Sequence, residues 1–248
     1  MKKTCTSLLL AAGIISMQSN VFADVNLKLN AGLGFGSYDF SVDYPDNPNI
    51  ATYKSTGDIM PVSVGATIIF DSAYLDIMYS NSQTDVEIEK PPRKFDAELD
   101  RTDINLTLGT PVSDHLSAFV GYKSGTSDYN FEDGFVTSTE VNGFFVGMAY
   151  SFLMNSSSLS VSGALAGMEG EYSTGYDSAN PSYDNTADYA LGYSAGVKYQ
   201  YNLTENWSIS ADAKWHLYTL DFPALSNSVP MTFEEEMTSA SATLGYIF

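Results

Sequence analysis

Cysteine is almost absent from this chain: among its 248 residues, only Cys5 is a cysteine. Cys5 lies in an N-terminal segment, 1–23, with the pattern of a cleaved export signal: a basic start, an apolar run over 7–16 and a small-residue cleavage site at 21–23. We expect the mature chain, 24–248, to form one domain without cysteine. That absence excludes disulfide bonds, thiolate nucleophiles and cysteine-ligated metals.

Basic residues are also scarce. The chain has 11 Lys and Arg against 30 Asp and Glu, a net charge of −19, and loss of the two signal lysines takes that charge to −21. Binding to nucleic acid needs a basic surface that neutralises phosphates, so we expect no nucleic acid partner. The same charge opposes simple electrostatic docking onto anionic lipid.

Long apolar runs are missing as well. After the signal, no stretch approaches the ~18 continuous apolar residues that a transmembrane helix needs. An exported chain of this size and composition is then either a soluble β-rich protein or a barrel in the outer membrane of a Gram-negative cell.

Strict alternation of apolar and polar residues favours the barrel. Over 25–35, the odd positions are apolar and the even positions are small or polar, which is typical of a strand with one apolar face. The pattern recurs nine more times, on strands of about the ten residues that a tilted strand needs to cross a bilayer. The ten predicted strands are centred on 25–35, 62–70, 73–80, 104–108, 116–122, 144–152, 159–165, 189–201, 207–217 and 240–248.

The connections between these strands fall into two classes that alternate along the chain. Short turns are predicted at 71–72, 111–114, 154–157 and 204–206. Long polar loops are predicted near 41–56, 83–98, 124–138, 173–186 and 221–234. Transmembrane barrels combine short periplasmic turns with long extracellular loops. We therefore predict an all-β, antiparallel, up-and-down transmembrane barrel of ten strands with five long extracellular loops and both termini periplasmic; eight strands stay open should one hairpin lie above the membrane.

The chain end resembles that of Gram-negative outer-membrane β-barrel proteins. Tyr246 and Phe248 are two aromatic residues spaced by one, similar to the signal read by the outer-membrane assembly machinery, although Thr243 stands where that signal usually has glycine. The resemblance covers the mature chain and is architectural. It implies outer-membrane lipid and lipopolysaccharide as surroundings, the assembly machinery as a partner in biogenesis, and a monomer.

Ten-stranded barrels of this size include the omptin proteases, which use an acidic pair and a separate Asp-x-His pair at the extracellular rim. His216 is preceded two positions earlier by Lys214 and four positions earlier by Asp212, so the Asp-x-His pair is absent. His115 follows a short turn and belongs to the opposite end. We therefore expect no enzyme; a protease or lipid-modifying enzyme at the rim is the least favoured interpretation. We also expect no cofactor and no metal site.

Charged residues recur on the parity that faces the barrel interior. These candidate ligand-binding residues are Lys28, Asp76, Arg101, Asp103, Lys198, Asp212, Lys214 and His216, with Lys123 on the same parity. If the turn at 204–206 is symmetric, Lys198 faces Asp212 across two strands. Two interpretations stay open, since the charges can pair into a network that plugs the lumen or line a narrow path for small solutes.

The loops suggest a surface role. Tyr172, Tyr176 and Tyr183 lie among Ser, Asn, Gly and Asp in the fourth loop, a composition that suits adaptable binding surfaces. The acidic run 234–236 ends the fifth loop. We predict a structural or surface-recognition role, similar to that of an adhesin, with an extracellular partner bound through the loops. A narrow channel is the alternative.

Overall fold

The computed structural model describes residues 25–45, 52–176, 183–187, 189–223 and 229–248. The expected signal, 1–23, lies outside the described residues. None of the residues that the structure describes forms a helix long and apolar enough to span a membrane. The described strands are β1 (Asn26–Asp43), β2 (Tyr53–Ile59), β3 (Val62–Ile69), β4 (Tyr74–Lys90), β5 (Arg93–Pro111), β6 (Leu116–Phe131), β7 (Val136–Leu153), β8 (Ser157–Gly175), β9 (Tyr183–Thr186), β10 (Tyr189–Asn202), β11 (Trp207–Phe222) and β12 (Met231–Ile247).

The strands form one closed antiparallel sheet. The strands pair in chain order except that β2 does not pair with β3 nor β9 with β10, and β12 pairs with β1 from Lys28↔Ile247 to Asp43↔Thr232, which closes the ring. Closure removes the two long edges of an open sheet; among the described strands, the short β9 pairs on one side only, with β8. The predicted all-β up-and-down barrel is therefore confirmed.

Twelve strands occupy ten positions around this ring. Strands β2 and β3 both lie between β1 and β4, and β9 and β10 both pair with β8, so each couple is one interrupted strand. The first interruption falls at Met60 and Pro61. Proline has no N–H for the sheet ladder, but the Pro61 carbonyl still accepts a hydrogen bond from the Gly34 N–H at 2.8 Å. The prediction of ten barrel strands is confirmed in this sense.

An outward-facing belt of exposed apolar side chains encircles the barrel, and we call it the apolar band. On β7 it runs from Phe144, 73% exposed, to Phe152, which at strand rise and tilt is a height of about 20–25 Å. Monomeric soluble proteins rarely expose so large an apolar surface, whereas a bilayer requires it. Its members include Leu33, Phe35, Val62, Val64, Ile77, Tyr79, Ile104, Leu106, Leu108, Val120, Tyr122, Val146, Met148, Tyr150, Val161, Leu165, Tyr193, Val197, Tyr199, Ile209 and Leu244.

One end of the barrel carries the short turns and the last described residue, Phe248, and we call it the turn end. The opposite end is the loop end. Outward aromatic side chains lie near the turn end as predicted: Phe70, Phe152, Tyr201, Trp207 and Phe248 are all exposed. The Tyr246 ring lies between two of them, with centroids 4.8 Å from Trp207 and 4.8 Å from Phe248. Aromatic girdles of this kind lie at membrane–water interfaces.

Beyond the apolar band, the strands continue toward the loop end and the two faces exchange character. On β1, Phe35 is apolar and outward, whereas Tyr38, Phe40 and Val42 are apolar, buried and inward. We call this part the loop-end extension. It comprises 37–43, 53–58, 81–90, 93–102, 124–131, 136–142, 167–175, 183–186, 217–222 and 231–238.

The extension corrects the prediction of five long loops. Strand β4 continues to Lys90 and β5 begins at Arg93, so the predicted loop 83–98 is a hairpin with a two-residue tip. The predicted loop 124–138 is likewise mostly strand, with a turn over 132–135 where Gly134 has a φ of +84°. Apolar and polar residues still alternate beyond the apolar band, but there the apolar residues point inward and the polar ones outward. A sequence pattern that counts outward apolar residues therefore ends each strand at the edge of the band.

A dry core fills the barrel interior within the loop-end extension, and we call it the loop-end core. Phe233 lies at its centre, fully buried, with ring centroids 4.7 Å from Phe222 and 5.4 Å from Phe40. Its buried apolar members are Tyr38, Phe40, Val42, Ile59, Val86, Ala97, Leu99, Tyr129, Val141, Leu220, Phe222, Met231 and Phe233. The barrel interior is therefore packed at the loop end.

Candidate functional site

A buried charged network lies directly below the loop-end core. The Arg101 guanidinium donates to Asp103 at 2.8 and 3.1 Å and to Glu235 Oε1 at 2.6 Å. The Lys123 Nζ lies 2.9 Å from Asp103 Oδ1. All four side chains are at most 8% exposed. These four residues form an internal ion-pair network, one of the two arrangements that the sequence left open, and it lies in the half of the barrel nearer the loop end.

Hydroxyl groups complete this network. The Tyr38 hydroxyl donates to Glu235 Oε2 at 3.0 Å, and the Tyr129 hydroxyl donates to Tyr38 at 3.1 Å. Ser127 Oγ accepts from Arg101 Nη1 at 2.9 Å. Because β5 and β6 lie nearly opposite β12 and β1 in the ring, these bonds cross the barrel interior. They hold the two sides of the barrel together.

The network is electrically balanced, with two cations and two carboxylates. Burial alone would lower the pKa of Arg101, but Asp103 and Glu235 raise it well above its ordinary value. Burial and the Glu235 carboxylate raise the pKa of Tyr38, so its hydroxyl stays protonated and donates. Buried charges are tolerated only when paired and hydrogen-bonded, and these are. The four charged side chains therefore pair with one another across the interior at this level.

Glu235 is the network member that the sequence interpretation missed. The acidic run 234–236 was predicted as the end of a loop, but it lies within β12. Because strand side chains alternate, Glu235 points inward while Glu234 and Glu236 point outward. The apolar residues Phe233 and Met237, two positions to either side, share the inward parity and carry the signal that could have found it.

Below the network, the interior opens into a cavity of about 710 Å³, which we call the lumen cavity. It extends from Arg101 and Asp103 down to Ile69, Tyr74 and Ile247, the inward residues nearest the turn end. Every predicted lumen candidate lines it: Lys28, Asp76, Arg101, Asp103, Lys198, Asp212, Lys214 and His216.

The predicted register of Lys198 opposite Asp212 is confirmed, but the two charges do not form an ion pair. Asp212 instead accepts from Ser241 Oγ at 2.8 Å and lies 3.8 Å from the Lys214 Nζ. In the described part of the chain, Lys198 has no carboxylate oxygen within 4.0 Å. Lys28 donates to Gln200 Oε1 at 3.2 Å.

The two histidines are far apart and lie in different environments. His115 lies at the turn end, where its Nδ1 is 3.1 Å from the Ser151 carbonyl oxygen. His216 lies in the lumen, with Nδ1 3.5 Å from the Tyr218 hydroxyl and the two rings stacked. Among the described residues, no group of three or more His, Cys, Asp or Glu could hold a metal ion.

The three tyrosines predicted for recognition separate in the structure. Tyr172 packs inward, with ring centroids 4.7 Å from Phe233 and 6.2 Å from Phe222, so its prediction as a surface residue is wrong. It lies on β8, whose alternation places it on the inward parity. Tyr176 is 68% exposed and stacks edge-on against Phe135 at 5.3 Å. The Tyr183 side chain lies outside the described residues.

The outward side of the loop-end extension is strongly acidic, and we call it the acidic face. Five pairs of carboxylates are directly opposed across neighbouring strands: Asp39↔Glu236, Asp85↔Glu98, Glu87↔Asp96, Asp100↔Asp128 and Glu140↔Glu171. Like charges in this position destabilise a sheet. One compensation is near the β4–β5 tip, where Lys94 Nζ lies 2.5 Å from Glu87 and 2.6 Å from Glu89. The hydrogen bonds that Lys94 donates to these two carboxylates raise its pKa.

No protein-family model matches the sequence, and no curated protein matches it. Among solved structures, the chain is similar to the outer membrane protease OmpT from Escherichia coli, with a TM-score of 0.66, 12% identity, and 94% of this chain and 99% of that chain covered. It also resembles OprG from Pseudomonas aeruginosa (TM-score 0.42, 9% identity, 92% and 97% covered) and Ail of Yersinia pestis (TM-score 0.35, 13% identity, 89% and 99% covered). These last two likenesses are weaker.

The class of protein follows from the fold. The closed antiparallel ring and the apolar band are those of a transmembrane β-barrel, and the outer membrane protease OmpT shares this fold. At 12% identity, the likeness to the protease concerns the fold alone.

Proposed function

We propose that this chain is an integral, monomeric, non-catalytic outer-membrane barrel that recognises a cationic partner through its loop-end extension. The turn end and both termini lie in the periplasm, and the loop end projects outside the cell. Short turns at the terminal end support this orientation, because outer-membrane barrels keep their short turns periplasmic. Outer-membrane lipid and lipopolysaccharide surround the apolar band.

The observation that carries this proposal is that, beyond the apolar band, the apolar side chains of the strands point inward and the polar ones outward. A barrel that only anchors itself has no use for strands that continue to Lys90 on β4 and from Arg93 on β5. Here they enclose a dry core, which makes the projection rigid rather than loop-like. A rigid surface loses little conformational entropy when it binds a partner.

The acidic face supports a partner of positive charge. Opposed carboxylates cost stability, so their presence at five cross-strand positions favours a role for the charge itself. Such a surface steers a cationic partner into contact and repels anionic ones. The exposed Tyr176 and its neighbour Phe135 add an aromatic contact at the same end.

The same observations argue against the alternatives. The loop-end core fills the interior where a conduit would have to open to the outside. A rim protease needs acidic and Asp-His groups converging on a cleft, whereas the inward residues nearest this rim are apolar or uncharged, such as Phe233, Ser55 and Asn185. The buried network is charge-balanced and packed, so it offers no free acid or base.

The test is adhesion of bacteria that express the full chain at their surface. We expect binding to surfaces coated with basic proteins, and not to surfaces coated with acidic ones, that exceeds a vector control and falls steeply with salt, since exposed charges are screened. A triple variant, Glu87→Gln, Glu98→Gln and Asp96→Asn, should lose most of that binding while keeping its heat-modifiable migration on gels.

The matched control is Glu205→Gln, which removes a carboxylate from a turn at the opposite end and should leave binding unchanged. Expressing cells that adhere no better than the vector control on every surface tried would overturn the proposal. So would binding that the triple variant leaves intact.

A further inference from the structure

We propose that the lumen cavity binds a small organic anion, with one carboxylate, sulfonate or phosphate group on an aromatic or short aliphatic body, that enters from the turn end. The cavity holds about 710 Å³, within the range of small-molecule sites. It reaches the turn-end residues Ile69, Tyr74 and Ile247, whereas the charged network and loop-end core close it on the other side.

One wall of the cavity carries an excess of positive charge. Lys28, Lys198 and Lys214 come from three different strands and line the same space. The pairing Lys214↔Gly196 places Lys214 diagonally opposite Lys198, within reach of a shared ligand. Two carboxylates, Asp76 and Asp212, line the cavity at this level, so the lysines outnumber them.

Both carboxylates are already engaged by hydroxyl groups. Asp76 accepts from Thr67 Oγ1 at 2.6 Å, and Asp212 accepts from Ser241 Oγ at 2.8 Å. The nearest lysine to either is Lys214, at a long 3.8 Å from Asp212. Lys198 therefore keeps an ammonium group that lines the lumen cavity without a carboxylate partner in the described chain. An anionic ligand would satisfy it.

The facing wall is apolar. The Phe119 and Phe145 rings lie with centroids 6.1 Å apart, edge to face, and both line the cavity. They are held against the wall by glycines, since a side chain at Gly147 or Gly121 would overlap the rings. Ala149, Ala164 and Ala166 continue this surface. An inorganic anion would leave the wall unused, whereas the apolar body of an organic anion would cover it.

The experiment uses the full chain in lipid nanodiscs and ¹³C-methyl-methionine NMR. Met78, Met168 and Met237 line the cavity, whereas Met60 and Met154 are 73% and 52% exposed on the outside. The probes are 3-phenylpropionate, its cationic analogue 3-phenylpropylamine, and acetate. We expect 3-phenylpropionate to shift the three cavity methyls in a saturable manner and to leave the two outer methyls unmoved.

Lys198→Met should weaken 3-phenylpropionate binding about tenfold or more, the effect of losing one charge-assisted hydrogen bond. Lys54→Met removes an exposed cation of the loop-end extension and should leave binding within about twofold. Lys198→Gln serves as a second variant should Lys198→Met not fold.

Equal binding of the amine and the acid would overturn the proposal, because the site would then not select anions. Equal binding of acetate would remove the role of the aromatic wall. Binding that moves Met60 or Met154 instead of the cavity methyls would place the probe in the lipid. This test is independent of adhesion, so the two proposals can fail separately.

Discussion

The Arg101 guanidinium and the Glu235 carboxylate lie 134 positions apart in the chain and 2.6 Å apart in space, and both are buried. Their contact crosses the barrel between β5 and β12. It joins elements that have no backbone hydrogen bonds to each other, and it lies at the boundary between the lumen cavity and the loop-end core.

Removing one partner of this pair should destabilise the barrel strongly. Arg101→Met or Glu235→Met alone should cost about 3–5 kcal/mol, because each leaves the buried network with one uncompensated charge. The double variant should cost clearly less than the sum of the two. The measurement is urea-induced unfolding in detergent micelles. Lys94→Met, which breaks an exposed contact with Glu87 and Glu89, is the control and should have no measurable effect. Additive losses in the double variant would contradict coupling across the barrel.

Tyr38 should make the barrel sensitive to alkali. Its pKa is raised from the ordinary 10.0 by burial first and by Glu235 second. As the pH rises past about 10, the unfolded chain loses this proton before the folded one does, so the free energy of unfolding falls. Tyr38→Phe should lessen that fall between about pH 10 and pH 12, although it costs stability at pH 8 through the lost hydrogen bond to Glu235.

The control for this pH series is Tyr176→Phe, since Tyr176 is largely exposed and should follow the wild-type curve. Unfolding is followed by tryptophan fluorescence from pH 8 to pH 12. Identical slopes for Tyr38→Phe and the wild type would show that Tyr38 titrates normally.

The limits of the apolar band can be tested with introduced lysines. Val146→Lys, outward on β7 within the band, should cost about 2–4 kcal/mol in a bilayer, the cost of a lysine near the midplane. Thr126→Lys, outward on β6 beyond the band and directly opposite Glu140, should be neutral or stabilising. Unfolding from lipid vesicles measures both. Equal costs would mean that the band does not mark the hydrocarbon region.

The loop-end core should keep the barrel electrically silent. We expect no discrete conductance steps from the wild-type protein in planar bilayers, because packed side chains leave no water path. Tyr38→Ala combined with Tyr129→Ala removes two fully buried rings and should introduce a measurable leak. Gel migration of unheated samples checks that this variant folds. Steps from the wild type would favour the narrow channel instead.

The sequence predicted the barrel well where one physical rule applied. Lipid on one side and a polar lumen on the other force a strict alternation, so all ten strand positions were found, including the opposed pair Lys198 and Asp212. The same rule failed beyond the band. Residues such as Phe233, which is inward, and Glu236, which is outward, obey the opposite assignment, in which the inside is an apolar core and the outside meets water.

Side-chain pairing was beyond the reach of the alternation pattern. It places Arg101, Asp103 and Lys123 inside, but it cannot say that Asp103 lies between the two cations or that Glu235 arrives from across the ring. Those contacts depend on barrel closure and on side-chain reach. Tyr172 was misassigned for a similar reason, because its composition suggested a loop and its register places it in the core.

The reversal of faces also fixes how deeply the barrel sits. Sliding it outward by one pair of residues would bring Phe35 into water, and sliding it inward would bring Asp39 and Glu236 into hydrocarbon. Both displacements are penalised around the whole ring at once, so the protein holds one depth and the surrounding lipid must thicken or thin to meet it. The stability of the barrel should therefore depend on bilayer thickness and be highest in lipids whose acyl chains match the height of its apolar band.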